Sequence, residues 1–118
     1  MIGVDVCLIS RIARAIENDR FVERVFTPGE REYCEAKVNR AESYAGIYAA
    51  KEAVVKALGA GITEFNFHDV EITHAKNGAP KALLHGEAEK LAAGLNPHVS
   101  ISHDGDNATA VCVLEARK

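Results

Sequence analysis

Three charged side chains in this sequence lie where the neighbouring residues are mainly apolar. Asp5 interrupts a run of apolar and β-branched residues at positions 2–8, and a carboxylate buried there without a partner would cost free energy. Glu52 and Lys56 lie one turn apart on a predicted helix, so they share one face of it. A carboxylate can bind a hard cation such as Mg²⁺, and a lysine can neutralise phosphate oxygens. Together these residue types indicate a site for a phosphate-bearing ligand.

Each of these residues also has a simpler interpretation. The alternation of a strand could turn Asp5 outward into water instead of making it a metal ligand at a strand end. Glu52 and Lys56 could form a surface ion pair worth less than ~1 kcal/mol. However, Tyr48 and Val55 flank the same helix face, so the face is not a plainly solvated one. Both interpretations stay open on these residues alone.

His103 ends a predicted strand just before a turn, which is a good position from which to reach a ligand. A solvated turn is the alternative. Adjacent Ser102, His103 and Asp104 cannot all converge along an extended strand, so no catalytic triad is predicted. The other histidines show no metal-ligand spacing and are expected to be structural or exposed: His68, His74, His85 and His98.

Several arginines lie close together in a chain whose formal net charge is −3. Acidic residues are interspersed with them, so a solvated face of mixed charge is one interpretation. The other is a docking patch for an acidic partner, which would speed encounter and set orientation. The residues of this cluster are Arg11, Arg14, Arg20 and Arg24.

The composition narrows the class of protein. A length of 118 residues favours a single domain spanning residues 1–118, and the net charge of −3 disfavours a general nucleic-acid binder. Cys7, Cys34 and Cys112 form no CxxC pair, so reduced thiols in a cytoplasmic protein are expected. The first residues do not resemble a signal peptide, and no apolar stretch reaches the roughly 20 residues that cross a bilayer.

The expected fold class is α+β, with helices in the first half and mainly antiparallel strands formed by the N-terminus and the second half. The first half is predicted to contain a strand at 2–8, a helix capped by Ser10, a break at Asn18-Asp19, a helix from Thr27–Glu30 to about Lys37, and a helix from about Arg40 to Leu58. The second half is predicted to contain strands at 69–75 and 81–85 around Asn77-Gly78, a helix at 86–93, and strands at 98–103 and 108–115.

Two segments resemble the signatures of the holo-acyl-carrier-protein synthases, the small trimeric branch of the phosphopantetheinyl transferases. They are Gly3-Val4-Asp5 and the run Lys51-Glu52-Ala53-Val54-Val55-Lys56. Further segments that are similar to the family in order and spacing are residues 20–27, 67–72, 77–80 and 99–103.

The resemblance implies the 4'-phosphopantetheinyl transferase fold and a transfer of 4'-phosphopantetheine from coenzyme A to a serine of apo acyl carrier protein. It implies Asp5 and Glu52 as Mg²⁺ ligands and Lys56 at the coenzyme A diphosphate. It implies a homotrimer with sites between subunits, acting in fatty acid biosynthesis. The remaining implied residues are Gly59, Gly61, Pro80 and His103 for coenzyme A, and Arg11, Arg14, Arg20 and Arg24 for the carrier protein.

Two positions depart from the family pattern. Ile47 and Ala79 stand where the family often has arginine and lysine, so positive charge that could contact coenzyme A phosphates is lost.

Two other functions would use subsets of the predicted site residues. A magnesium-dependent hydrolase of nucleotide diphosphates would need Asp5, Glu52 and Lys56 without the arginines. A non-catalytic trimer that binds an acidic partner would need the arginines without the carboxylates.

Overall fold

The predicted order of helices and strands is confirmed in the computed structural model, which describes residues 1–59 and 66–116, with one further helix after the predicted break at Asn18-Asp19. The first half contains β1 (Ile2–Leu8), α1 (Ile9–Ala15), α2 (Asp19–Val25), α3 (Pro28–Glu35) and α4 (Arg40–Ala57). The second half contains a 3₁₀ turn (Phe67–Asp69), β2 (Val70–His74), β3 (Pro80–Leu84), α5 (Gly86–Ala92), β4 (Leu95–Asp104) and β5 (Asn107–Ala116).

The strands form two antiparallel sheets, in agreement with the α+β class. One sheet has the order β1-β5-β4, and the other is the hairpin β2-β3. In the three-stranded sheet Asp5 lies opposite Ala110, and His103 lies opposite Ala108. The N-terminal strand β1 therefore forms one edge of this sheet and pairs with β5, as expected for a sheet formed by the N-terminus and the second half of the chain.

Helix α4 packs across the three-stranded sheet, and its small side chains allow a close approach to β1. Gly3 is where the two elements meet most closely. A β-carbon at Gly3 would lie 2.1 Å from the carbonyl oxygen of Ala53 and 2.6 Å from the nitrogen of Ala57. Because no side chain fits there, glycine is required, and β1 is held directly against the turn of α4 that carries Glu52 and Lys56.

The helix starts depend on capping residues, of which the sequence identifies one set. Thr27 and Glu30 form the predicted capping box of α3. Asn18, predicted only as part of a break between helices, caps α2. The predicted cap at Ser10 is wrong. Helix α1 begins at Ile9, and its N-cap residue Leu8 makes no side-chain capping bond. Ser10 lies inside the first turn, where it bonds to a residue from the other end of the chain.

Among the helices in the described ranges, none combines the length and the apolar composition needed to cross a membrane.

Candidate active site

A cavity of about 400 Å³ opens between β1, α1, α2 and α4. Asp5 from β1 and Glu52 from α4 both line it, so the two carboxylates that are distant in sequence share one cavity. Arg11 of α1 lines the same cavity. The other lining residues are Val6, Cys7, Ile12, Ala15, Phe21 and Tyr48.

Asp5 reaches the cavity because it lies on the same strand face as Gly3 and Cys7. That face packs against α4, and only 15% of the Asp5 side chain is exposed. The alternative interpretation, in which Asp5 points outward into water, is therefore wrong. Alternation within β1 places the apolar Val4 and Val6 on the opposite, solvent-facing side.

Lys56 pairs with Asp5 and not with Glu52, the partner expected of a simple surface pair on one helix. Its Nζ atom lies 3.0 Å from Asp5 Oδ1 and 3.0 Å from the carbonyl oxygen of Val4. The Lys56 side chain is 53% exposed, so one side of the ammonium stays open to a ligand. The lysine thus lies next to the carboxylates and still faces solvent.

Glu52 is the most unusual group in the cavity. Its Oε1 atom is buried and has no hydrogen-bond partner among the described residues. Burial raises the pKa of Glu52, and the nearby carboxylate of Asp5 raises it further, whereas Tyr48 and Lys56 oppose the shift. A buried carboxylate oxygen without a donor, beside a second carboxylate, is an arrangement that a bound cation would stabilise.

The number of ligands fits a magnesium site that the substrate completes. In the part of the chain that the structure describes, no group of three or more His, Cys, Asp or Glu side chains could hold a metal ion. Mg²⁺ is typically held by one or two carboxylates together with substrate phosphates and water. Asp5 and Glu52, with the partnerless Oε1 of Glu52, match that donor set.

Two of the predicted coenzyme A residues lie in a different cavity. Pro80 and His103 line a pocket of about 210 Å³, which Ile47 also lines. The Nε2 atom of His103 lies 3.4 Å from Glu42 Oε1. Neither Asp5 nor Glu52 is among the residues around this pocket. Within one chain, the structure therefore does not bring these coenzyme A residues together with the carboxylates.

The remaining predicted residues that the structure describes lie on α1, on α2 and just after the end of α4. Gly59 follows the end of α4 with a positive φ of 71°, which favours glycine. Gly61 lies outside the described residues. Arg14 is exposed on α1, and Arg20 and Arg24 are exposed on α2, so Arg11 alone of the four lines the cavity.

Two cavity residues were not predicted as part of the site, Cys7 and Tyr48, although the sequence placed Tyr48 on the face of Glu52 and Lys56. Burial, and then the Asp5 carboxylate, raises the pKa of the Cys7 thiol to about 11. Burial, and then Glu52, raises the pKa of Tyr48 to about 12. Both groups are neutral near pH 7, so Cys7 is not an activated nucleophile. Cys7 follows Asp5 by two residues in a strand and Tyr48 precedes Glu52 by one helical turn, so spacing could have revealed them.

Known proteins that resemble this chain cover nearly its full length. The family model described as 4'-phosphopantetheinyl transferase superfamily matches residues 1–112. A holo-[acyl-carrier-protein] synthase of Geobacter sulfurreducens is 46% identical over 119 residues, covering 96% of this chain and 94% of that protein. Fatty acid synthase subunit alpha of Candida albicans is 48% identical over 122 residues, covering 97% of this chain and 6% of its own length.

Solved structures agree with these sequence matches. The crystal structure of Helicobacter pylori holo-[acyl-carrier-protein] synthase in complex with coenzyme A has a TM-score of 0.86 and 36% identity, and the match covers 98% of this chain and 100% of that one. On this fold and these matches, the chain belongs to the 4'-phosphopantetheinyl transferase superfamily.

Proposed function

We propose that this protein is an enzyme that transfers 4'-phosphopantetheine from coenzyme A to a serine of apo acyl carrier protein. Adenosine 3',5'-bisphosphate is released. The observation that supports this most is the pair of carboxylates, Asp5 and Glu52, which share a cavity with a half-exposed lysine beside them. The similar proteins named holo-[acyl-carrier-protein] synthase, one of them in complex with coenzyme A, supply the substrate class.

In this proposal Asp5 and Glu52 hold Mg²⁺, and Lys56 contacts the diphosphate of coenzyme A. When bound, the cation would stabilise the negative charge that develops on the leaving adenosine bisphosphate. Lys56 adds a second positive charge to the same diphosphate without leaving Asp5, because part of its ammonium faces solvent. Catalysis then rests mainly on positioning and electrostatics, as in other phosphoryl transfers.

The attacking hydroxyl belongs to the carrier protein. Cys7 is the thiol in the cavity, and its raised pKa of about 11 keeps it protonated at neutral pH. A cavity lined by two carboxylates, an arginine and neutral groups, with Lys56 beside the carboxylates, suits a reaction in which the partner brings the nucleophile.

The direct test is incubation of the protein with coenzyme A, Mg²⁺ and an apo acyl carrier protein, followed by intact mass measurement of the carrier. We expect the carrier to gain one phosphopantetheine group on its serine, and only when Mg²⁺ is present. Release of adenosine bisphosphate without any carrier protein would favour the hydrolase. Failure to bind either Mg²⁺ or coenzyme A would favour the non-catalytic binder.

We also propose that the active form is a homotrimer. The outer face of the edge strand β1 carries a row of exposed apolar side chains, Ile2, Val4, Val6 and Leu8, with exposures of 69%, 60%, 63% and 40%. A continuous apolar row of this kind is typical of an interface between protein chains. The separation of the Pro80 and His103 pocket from the carboxylate cavity also suits a site that a neighbouring copy completes. Sedimentation equilibrium should give the mass of three chains, and a monomer mass would overturn this proposal.

Reversing the charge of the arginines on α1 should weaken binding of the carrier protein more than binding of coenzyme A. For Arg11→Glu/Arg14→Glu we expect a loss of carrier affinity of roughly tenfold or more, because two favourable contacts with an acidic partner become repulsive. Arg11 also lines the carboxylate cavity, so Arg14→Glu is measured separately. Calorimetry with the carrier protein and with coenzyme A shows which affinity falls more, and Lys90→Glu on α5 is the control. A larger loss for coenzyme A than for carrier with Arg14→Glu would reject the docking role.

The proposed function also predicts the domain organisation, the compartment and the pathway of the protein. Residues 1–118 act as one domain, the protein works in the cytoplasm, and the pathway is fatty acid biosynthesis. The similarity to a fatty acid synthase subunit supports the last of these.

A further inference from the structure

The N-terminus of helix α1 is held by a residue from the turn between β4 and β5. Asp106 Oδ1 accepts a hydrogen bond of 2.9 Å from the backbone nitrogen of Ser10, and Asp106 Oδ2 accepts one of 2.6 Å from the Ser10 hydroxyl. The carbonyl oxygen of Asp106 accepts a third bond of 2.8 Å from the nitrogen of Ile9. These contacts join segments that are 96 residues apart in sequence.

Helix α1 needs this support because it has no cap of its own. The first N–H groups of a helix lack partners within the helix, and the N-cap residue Leu8 offers none from its side chain. A helix as short as Ile9–Ala15 is not stable in isolation. A carboxylate at its N-terminus supplies both the missing acceptors and a charge of the favourable sign.

The placement of α1 matters to the proposed site. Arg11 projects from α1 to line the cavity of Asp5 and Glu52, and Arg14 lies one turn further along the helix. The strand that leads into the turn of Asp106 carries His103, which lines the second cavity. The turn thus ties the helix of the arginines to the sheet that carries both cavities.

We propose that Asp106 is a positioning residue for carrier-protein docking: through Ser10 it sets where α1 presents Arg11 and Arg14. This inference rests on the proposed function, since it assigns a purpose to the arginine helix of that same site. Asp106 touches neither the cavity of the carboxylates nor the pocket of His103, so its effect on the reaction is indirect.

The first test compares Asp106→Ala and Asp106→Asn with the wild type in steady-state transfer. For Asp106→Ala we expect the KM for apo carrier protein to rise about three- to thirtyfold, the range that follows from losing a helix cap. The KM for coenzyme A and kcat should change less than the KM for the carrier, because of the two arginines on α1 only Arg11 also lines the carboxylate cavity. Asp106→Asn should be intermediate, because an amide oxygen still accepts from Ser10 but carries no charge.

The matched control is Asp104→Ala, which removes the same charge from the last residue of β4, two positions before Asp106. Asp104 makes no hydrogen bond to α1 among the described residues, so its kinetic constants should equal those of the wild type. In a double variant, Asp106→Ala added to Arg14→Glu should cost less than it does alone, because both act on one docking contact. Additive losses, or equal rises in the KM values for both substrates, would overturn the positioning role.

Hydrogen exchange provides a readout that does not depend on activity. The amides of α1 should exchange faster in Asp106→Ala than in the wild type, whereas those of α4 and β5 keep their protection. If the wild type transfers no phosphopantetheine, the proposed function fails. Unchanged exchange in α1 of Asp106→Ala would separately refute the positioning role of Asp106. If the wild type is active and Asp106→Ala keeps its carrier KM, only the present inference fails.

Discussion

Glu52→Gln is expected to lower the rate of phosphopantetheine transfer by about 10³-fold while leaving the fold intact, a loss comparable to that from removing one electrostatic contact in other active sites. The amide keeps the shape of the side chain but cannot supply the negative charge that a divalent cation needs. Calorimetry of Mg²⁺ binding in the presence of coenzyme A should show the loss independently of activity.

The same variant should be at least as stable as the wild type when no metal is present. Burial and Asp5 raise the pKa of Glu52 above its ordinary value, so the folded state holds this proton more tightly than the unfolded state. Stability contributed by the group therefore falls as pH rises past the ordinary pKa, and ionised Glu52 is destabilising at pH 7. Gln removes that penalty, so the Tm should stay the same or rise.

Glu89→Gln on the exposed face of α5 is the control for the change itself, and it should leave transfer and Mg²⁺ binding unaltered. Full activity of Glu52→Gln at limiting Mg²⁺ would remove Glu52 from the mechanism. A large drop in Tm would show that the residue is structural instead.

Among the single variants considered, Lys51→Met should cause the largest loss in free energy of unfolding, because it breaks an ion pair that is entirely buried. Lys51 Nζ lies 2.7 Å from Glu30 Oε1, and both side chains are 0% exposed. Burial lowers the pKa of Lys51, and Glu30 opposes that shift. Removing the lysine leaves an uncompensated carboxylate, and losses of about 3–5 kcal/mol are typical of such a change. Urea unfolding should show this as a lower midpoint with an unchanged slope.

The double variant Lys51→Met/Glu30→Gln should recover part of that stability. Glu30 also accepts hydrogen bonds from the backbone nitrogens of Ile72 and Thr27, at 2.7 and 2.8 Å. A glutamine at this position keeps one acceptor oxygen and carries no charge that would be left buried without a partner. The double variant should therefore lose less stability than Lys51→Met alone. Lys90→Met, which breaks an exposed pair with Glu87, should be close to neutral. Equal losses from Lys51→Met and Lys90→Met would contradict the buried pair's structural role.

Both predictions concern neighbours on α4 whose side chains point in different directions. Lys51 faces the interior and ties α4 to α3 and, through Glu30, to β2. Glu52 faces the cavity shared with β1. The Glu52 variant tests the chemistry of the site through transfer and Mg²⁺ binding. The Lys51 variants test the packing that holds α4 in place through urea unfolding, so the two roles are measured separately.

Features set by neighbouring residues could be predicted from the sequence. The capping box of Thr27 and Glu30 and the glycine after α4 depend on residues within a few positions of one another. The same holds for the alternation of β1 and for the single face shared by Glu52 and Lys56. The α+β class follows from such local patterns, and the family signatures add the expected chemistry.

Other features were decided only by tertiary structure, because they depend on which distant residues compete for a group. Asp106 takes the place of a local cap and leaves Ser10 inside α1. Asp5, and not Glu52, becomes the partner of Lys56, because Gly3 lets β1 approach α4. Periodicity limits the Asp5 side chain to one of the two faces of β1. Whether that face meets solvent or the cavity of Glu52 depends on which face α4 covers.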